Sequence, residues 1–240
     1  MKENINLTGL SNAEKVTLKN LFQDLSPEAY KEALGMLLSF GQRRNLFEYP
    51  NNIFPPPTPA RVYIKDFLLK HKDKIKGRVI EFAPPIYKPL LNSEEVTDYD
   101  VWNVKPGKNI SIVGDLLDPT VLPKESVDTV LLTHVLSAVG EPLTAINNIR
   151  SFLRKDGIIL CTVPVVLQKF APDPKDFWRF TEDSLKFLFS SMTIKEYQAY
   201  GNAATVSGSS QFLMSQHFDK KILFQNDKEC PSILAAVIQK

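Results

Sequence analysis

Four carboxylates and one imidazole in this chain fall where chemistry would need them if its middle folds as strands alternating with helices. Glu81 closes the apolar run Val79–Phe82, Asp98 and Asp100 close the next, Asp115 follows a third, and His134 a fourth. An acidic side chain about 20 residues beyond a first strand is spaced to accept both hydroxyls of a ribose. Asp115 with the backbone N–H of Leu116 can pair with the amino edge of an adenine. Taken together, the acidic strand ends describe a pocket for an adenosine. Taken singly, each is an ordinary cap or a solvated turn, as Asp128 and Asp156 are expected to be. The chain has no GxGxxG and no GxxxxGK[ST]. A phosphate-bearing cofactor such as NAD(P) or ATP is therefore poorly supported.

The segment GRVIEFAPPIYKPLL, Gly77 to Leu91, raises a difficulty for such a pocket. Glycines after a first strand let the backbone approach a ligand with no Cβ in the way. Here Ala83, Pro84 and Pro85 stand in that place, and no glycine occurs between Gly77 and Gly107. Two prolines fix φ and remove two N–H donors. The loop is expected to be stiff and a poor hydrogen-bond donor.

The elements that position these residues follow from patterning. Strands are expected at Val79–Phe82, Val96–Tyr99, Ser111–Val113, Thr129–Leu132 and Ile158–Val163, with Ile194–Tyr197 and Ile233–Ile238 as further apolar segments. Pro142–Leu153 reads as a helix closed by a Lys-Asp-Gly turn. Such alternation argues an α/β fold with a mainly parallel sheet and helices on both faces, which binds ligands outside the carboxyl ends of its strands. Ahead of it, Arg61–Lys76 reads as a helix with the stripe Val62, Ile64, Phe67 and Leu68. Residues 1–60 read as a polar helical extension ending in the proline-rich NNIFPPPTP, and 61–240 as the α/β domain.

Composition narrows the class. The 240 residues carry a net charge of +2, with 43% hydrophobic and 23% charged side chains, which is ordinary for a globular protein. So small a charge gives no reason to expect nucleic-acid binding. The lysines at 65, 70, 72, 74 and 76 read as a solvated helix end. Cys161 and Cys230 suggest no disulfide framework, the start of the chain has no signal-peptide core, and no apolar run reaches the ~18 residues of a membrane span. A cytoplasmic location is the expectation. His71, His134 and His217 show no ligand spacing, so no metal is expected.

Beyond this the chain resembles the class I S-adenosylmethionine-dependent methyltransferases. The resemblance rests on VDTVLLTHVLSAVGEPLTAINNIRSFLRKDGIILCTVP, residues 127–164, and on PDPKDFWRFTEDSLKFLF, residues 172–189. Within the latter, Asp176-Phe177-Trp178-Arg179-Phe180-Thr181 is similar to the D-Y-W-R-F-T signature of a bacterial subgroup found with glycan and natural-product genes. The likeness extends over roughly 55–240. It implies a Rossmann-like, mainly parallel seven-stranded sheet, S-adenosylmethionine as cofactor, and O- or N-methylation of a small-molecule or glycan acceptor. It also implies site residues. Glu81, Ala83, Pro84 and Tyr87 lie along the methionine part of the cofactor. Asp100, or Asp98, holds the ribose, Asp115 and Leu116 the adenine, and His134 and Val135 form the wall beneath. Tyr63 either closes over the cofactor or belongs to a helix that simply caps the sheet.

For catalysis, His134 serves either as a general base or as a hydrogen-bonding wall residue. Asp176 and Arg179 either grip a polar acceptor or form a structural ion pair. Lys169 and Trp178 line the acceptor side. N-terminal extensions in this family cover the cofactor or make a dimer contact, so a homodimer is a further expectation. Against the enzyme stands a methyltransferase-like protein that has lost catalysis and serves as a binding partner. The missing glycines favour it.

Overall fold

A computed structural model describes Ser26, 57–91, 93–167, 175–210 and 213–240. The chain divides into two compact units, Met1–Phe54 and Pro55–Lys240. The second unit carries every element described below.

Helix α1, Pro59–Lys70, begins on the Thr58 cap, whose hydroxyl accepts the Arg61 N–H, with Pro59 in its first turn. Its buried face is Tyr63, Ile64, Phe67 and Leu68. The expected helix to Lys76 stops early: Lys72–Lys74 is a 3-10 turn, after which Gly77 takes φ +65°. A side chain at Gly77 would run into Asp128, whose carboxylate accepts the Arg78 N–H and pairs with Arg154. Asp128 is thus the ordinary strand cap expected of it.

The strands are β1 Gly77–Phe82, β2 Val96–Asn103, β3 Ile112–Val113, β4 Val127–Thr133, β5 Leu153–Pro164, β6 Thr193–Tyr200 and β7 Ile233–Gln239. They form one sheet in the order β3-β2-β1-β4-β5-β7-β6. Pairing is parallel except where β7 runs against β5 and β6. The remaining helices are α2 Lys88–Leu91, α3 Pro142–Phe152, α4 Glu182–Leu188, α5 Ala203–Ser210 and α6 Lys220–Leu223.

Two cores result from the alternation of side chains across the strands. One packs Ile146, Ile149, Phe152, Leu185 and Phe189 of the α3–α4 side on Ile80, Val130, Ile159 and Ala236. The other packs Tyr63, Ile64, Phe67 and Leu68 of α1 on Val79, Leu131, Leu160 and Ala235. A sheet covered on both faces leaves only its edges for a ligand, and the expected α/β class is the class observed.

One element differs in a way that matters for the site. β2 does not end at Tyr99. It continues through Asp100, paired with Ile80, to Trp102, paired with Phe82, and on to Asn103. The polar Thr97-Asp98-Tyr99-Asp100 stretch reads as a strand end in isolation. Arg78 on the neighbouring strand neutralises Asp100, which allows the strand to pass through it.

No helix among the described residues is long and apolar enough to cross a membrane. The described residues also hold no group of His, Cys, Asp and Glu that could bind a metal ion.

Candidate active site

The loop after β1 is organised by Glu81. This side chain is buried, at 1% exposure, and its carboxylate accepts from the Tyr87 N–H at 2.8 Å, the Lys88 N–H at 3.2 Å and the Tyr99 hydroxyl at 2.6 Å. Burial and the adjacent carboxylate hold the Tyr99 hydroxyl well above its usual pKa. The Ala83 N–H donates to the Trp102 carbonyl at 2.9 Å and the Ile86 N–H to the Pro84 carbonyl at 2.8 Å. Ala83–Pro84 is a cis peptide. The loop is closed by its own hydrogen bonds, and Glu81 is the anchor that closes it.

Beside the loop, at the carboxyl ends of β1 and β2, a shallow cleft of about 310 Å³ is lined by Ala83, Pro84, Pro85, Asn103, Gly107, Lys108 and Ile110. Asp100 is not part of it. Its Oδ2 takes Arg78 Nη2 at 2.7 Å and Nε at 2.8 Å, three residues before the end of the strand. Asp98 is exposed and accepts from Thr97. The strand-end residue is Asn103, whose Oδ1 accepts the Val104 N–H. Asp115 stands exposed at the end of β3, one oxygen holding the Leu117 N–H, and Leu116 is buried beside it. A larger cavity, about 410 Å³, lies between α4 and the start of β6 around Glu182, Phe189 and Tyr197, away from the strand ends.

His134 follows β4 with φ +56°, and its N–H donates to the Thr162 carbonyl. Its Nε2 is buried and has no hydrogen-bond partner, and neither has the buried hydroxyl of Thr162. Buried polar atoms are nearly always paired, so an orphaned pair on adjoining strands marks a place for a polar ligand or water. Burial, then the guanidinium groups of Arg61 and Arg179, push the His134 imidazole down to about 3. The ring is neutral at neutral pH and too weakly basic to act as an efficient general base. Val135, partly buried, packs against the core on the α3–α4 side.

The Asp176–Phe180 segment folds back on the same edge. Arg179 forks onto Asp176, Nη1 at 2.6 Å and Nη2 at 2.8 Å from its two oxygens, and donates to the Leu167 carbonyl. Asp176 is 3% exposed in its side chain. Of the two roles open to this pair, the geometry supports the structural one, with Asp176 tying down Arg179 rather than reaching for a proton. Phe177 and Trp178 hang their N–H groups on the Ser137 carbonyl, and the Trp178 indole donates to the Val139 carbonyl at 2.8 Å. Both rings remain exposed, at 49% and 41%.

Tyr63 does not close over this edge. It is fully buried, stacks on Tyr200 and donates to the Leu223 carbonyl. Arg61, two residues earlier in α1, reaches the edge instead: its Nη1 lies 3.2 Å from the buried Tyr87 hydroxyl. Lys169 lies outside the described residues. Arg61, Asn103 and Thr162 were not singled out by the sequence. The signal for Asn103 was available, since Val101-Trp102 continues the β2 alternation past Asp100.

Comparison with known proteins adds a domain match and a fold likeness. Residues 93–161 match the family model described as a methyltransferase domain. That match runs from just before β2 into β5, so the loop after β1 lies outside it. No curated protein matches the chain. Among solved structures, a SAM-dependent methyltransferase from Archaeoglobus fulgidus superposes with a TM-score of 0.52 at 18% identity, over 75% of this chain and 94% of that one. An S-adenosylmethionine-dependent methyltransferase from Mesorhizobium loti gives 0.50 at 10%, over 75% and 100%. The [4+2]-cyclase SpnF gives 0.51 at 14%, over 89% and 94%. At such identities these likenesses carry the fold, which is that of the class I methyltransferases.

Proposed function

We propose, from the premise that fold and domain match indicate a class I S-adenosylmethionine-dependent methyltransferase, that this chain methylates an oxygen or nitrogen of a small-molecule or glycan acceptor. S-adenosylmethionine supplies a methyl group on a sulfonium, open to in-line displacement. The residues present fit that cofactor. The cleft by Ala83–Pro85 and Asn103 suits a ribose, Asp115 and Leu116 an adenine, and His134 and Thr162 offer unpaired polar atoms farther along the edge.

The observation that carries the acceptor class is the pair Phe177 and Trp178. The Trp178 indole is tied to the Val139 carbonyl and stays exposed, and beside it the Phe177 ring stays exposed while its backbone N–H is held by the Ser137 carbonyl. Held beside the turn that follows β4, they offer flat faces to a sugar or aromatic ring. The chain's contribution is positioning and exclusion of water, since His134 is a neutral hydrogen-bonding group and Asp176 is taken by Arg179. The same two facts favour a second reading, a binding protein that has lost catalysis.

Calorimetric titration with S-adenosylhomocysteine, followed by release of that product from S-adenosylmethionine over a panel of sugar and phenol acceptors, separates the two readings. Binding with turnover supports the enzyme. Binding without turnover on any acceptor favours the binding protein, and no binding at millimolar ligand removes the enzyme.

For the ribose we place Asn103 where the sequence suggested Asp100. Asn103→Ala is expected to weaken S-adenosylhomocysteine about 5- to 10-fold, the worth of one net hydrogen bond or slightly more. Asp100→Asn leaves affinity within about twofold. The reverse pattern in the same titration would restore Asp100 to the ribose.

A further inference from the structure

The loop Ala83–Lys88 has no backbone N–H left for a ligand. Ala83 donates to Trp102, Ile86 to Pro84, and Tyr87 and Lys88 to Glu81, while Pro84 and Pro85 have no N–H at all. A ligand carboxylate arriving at this loop must therefore be held by side chains. Arg61 is placed to do so. It projects from the first turn of α1, a turn without acidic residues. Among the described residues its one side-chain hydrogen bond is to the Tyr87 hydroxyl, and no carboxylate pairs with it. The Tyr87 hydroxyl accepts from Arg61 and keeps its own proton to donate. Arg61 is also close enough to His134 for its charge to be felt there.

We propose that Arg61 and Tyr87 form a clamp for the carboxylate at the amino-acid end of the cofactor, replacing the backbone donors that this loop lacks. This rests on the function proposed above and deepens it. A guanidinium presents paired N–H groups in the geometry a carboxylate accepts, and the tyrosine hydroxyl adds a third donor beside them. A rigid loop closed on Glu81 keeps Tyr87 in place, so the clamp needs no glycine.

The test uses the full chain and two ligands: S-adenosylhomocysteine, and 5′-methylthioadenosine, which lacks the amino-acid end. Wild type, Arg61→Ala, Arg61→Lys and Tyr87→Phe are titrated with both, after thermal unfolding confirms that each variant is folded. Arg61→Ala is expected to lower S-adenosylhomocysteine affinity about 10- to 100-fold, as for loss of a charge-assisted hydrogen bond, and to leave 5′-methylthioadenosine within about twofold. Arg61→Lys retains part of the affinity, and Tyr87→Phe loses less than Arg61→Ala. If Arg61→Ala binds S-adenosylhomocysteine like wild type, the clamp is wrong and Arg61 serves some other anion. Equal loss of both ligands also overturns it, since the residue would then shape the site rather than read a carboxylate. Failure of wild type to bind either ligand removes the proposed function, and the clamp with it.

Discussion

Replacing Glu81 by alanine is expected to lower the unfolding free energy by about 4 kcal/mol, measured by urea unfolding at neutral pH. The carboxylate holds three donors, two of them backbone N–H groups in the loop and one the Tyr99 hydroxyl. Removing a buried acceptor leaves its donors unpaired, at roughly 1–3 kcal/mol each, and the losses do not add fully because the loop relaxes. Glu81→Gln keeps one acceptor oxygen and is expected to lose about half as much. Tyr99→Phe deletes one donor together with its need for a partner, and is expected to cost only about 1 kcal/mol. A fall in the urea midpoint at constant slope would assign the change to stability rather than to a changed denatured state. A loss below about 1 kcal/mol for Glu81→Ala would mean that the loop is held by its prolines and not by this carboxylate.

The second large effect is on acid stability. His134 has its native pKa held at about 3 by burial and by the nearby Arg61 and Arg179. An unfolded histidine titrates near 6.5. Between those values the unfolded chain binds a proton that the folded one refuses, so stability rises with pH across the window. This contribution is complete above pH ~6.5 and is lost as pH falls towards ~3, at no more than about 1.4 kcal/mol per pH unit. At pH 5 the loss attributable to His134 is up to about 2 kcal/mol. His71, whose pKa is also lowered by burial, acts in the same direction, so the wild-type profile alone does not isolate His134. His134→Asn does, since asparagine tolerates the left-handed backbone found there. Stability measured at pH 6.5 and pH 5 should fall less in this variant than in wild type, by up to about 2 kcal/mol. Parallel profiles would show that the imidazole is open to protons in the folded state, and would return it to consideration as a general base.

Both effects come from groups that the sequence marked for another task. Glu81 stood where a methionine-binding loop begins, and His134 at a strand end where a base would be useful. In the folded chain Glu81 turns inward to two tyrosines' polar groups and a lysine N–H, and His134 lies within electrostatic reach of two guanidinium groups. The chain also shows how a glycine-less loop can keep a defined shape. What glycines would do by leaving room, Glu81 does by gathering the loop's N–H groups, and the side chain of Arg61 is left to face an anion.

Much of the architecture was legible in the sequence because it depends on side chains close together along it. Every expected strand is present. Alternation in β1, β4, β5 and β7 places alternate residues in two cores, and the Pro142 start of α3 follows from local signals, but the helix stops at Phe152 and the Lys155-Asp156-Gly157 run expected to close it lies inside β5, which begins at Leu153. The end of β2 was only partly legible, in the apolar Val101-Trp102 that follows the acidic residues. Asp98 and Asp100 read as a polar stop until Arg78, on the next strand, takes up the charge of Asp100. The same holds for Arg61. Nothing beside it in the sequence marks it, and only the packing of α1 across the sheet brings its guanidinium to Tyr87, 26 residues away. Periodicity alone determined which segments are strands and helices, because a side chain's burial face is set by its own backbone. Which charges are neutralised, and which are left to meet a ligand, was decided by the tertiary structure, because the partners come from elements far apart in the chain.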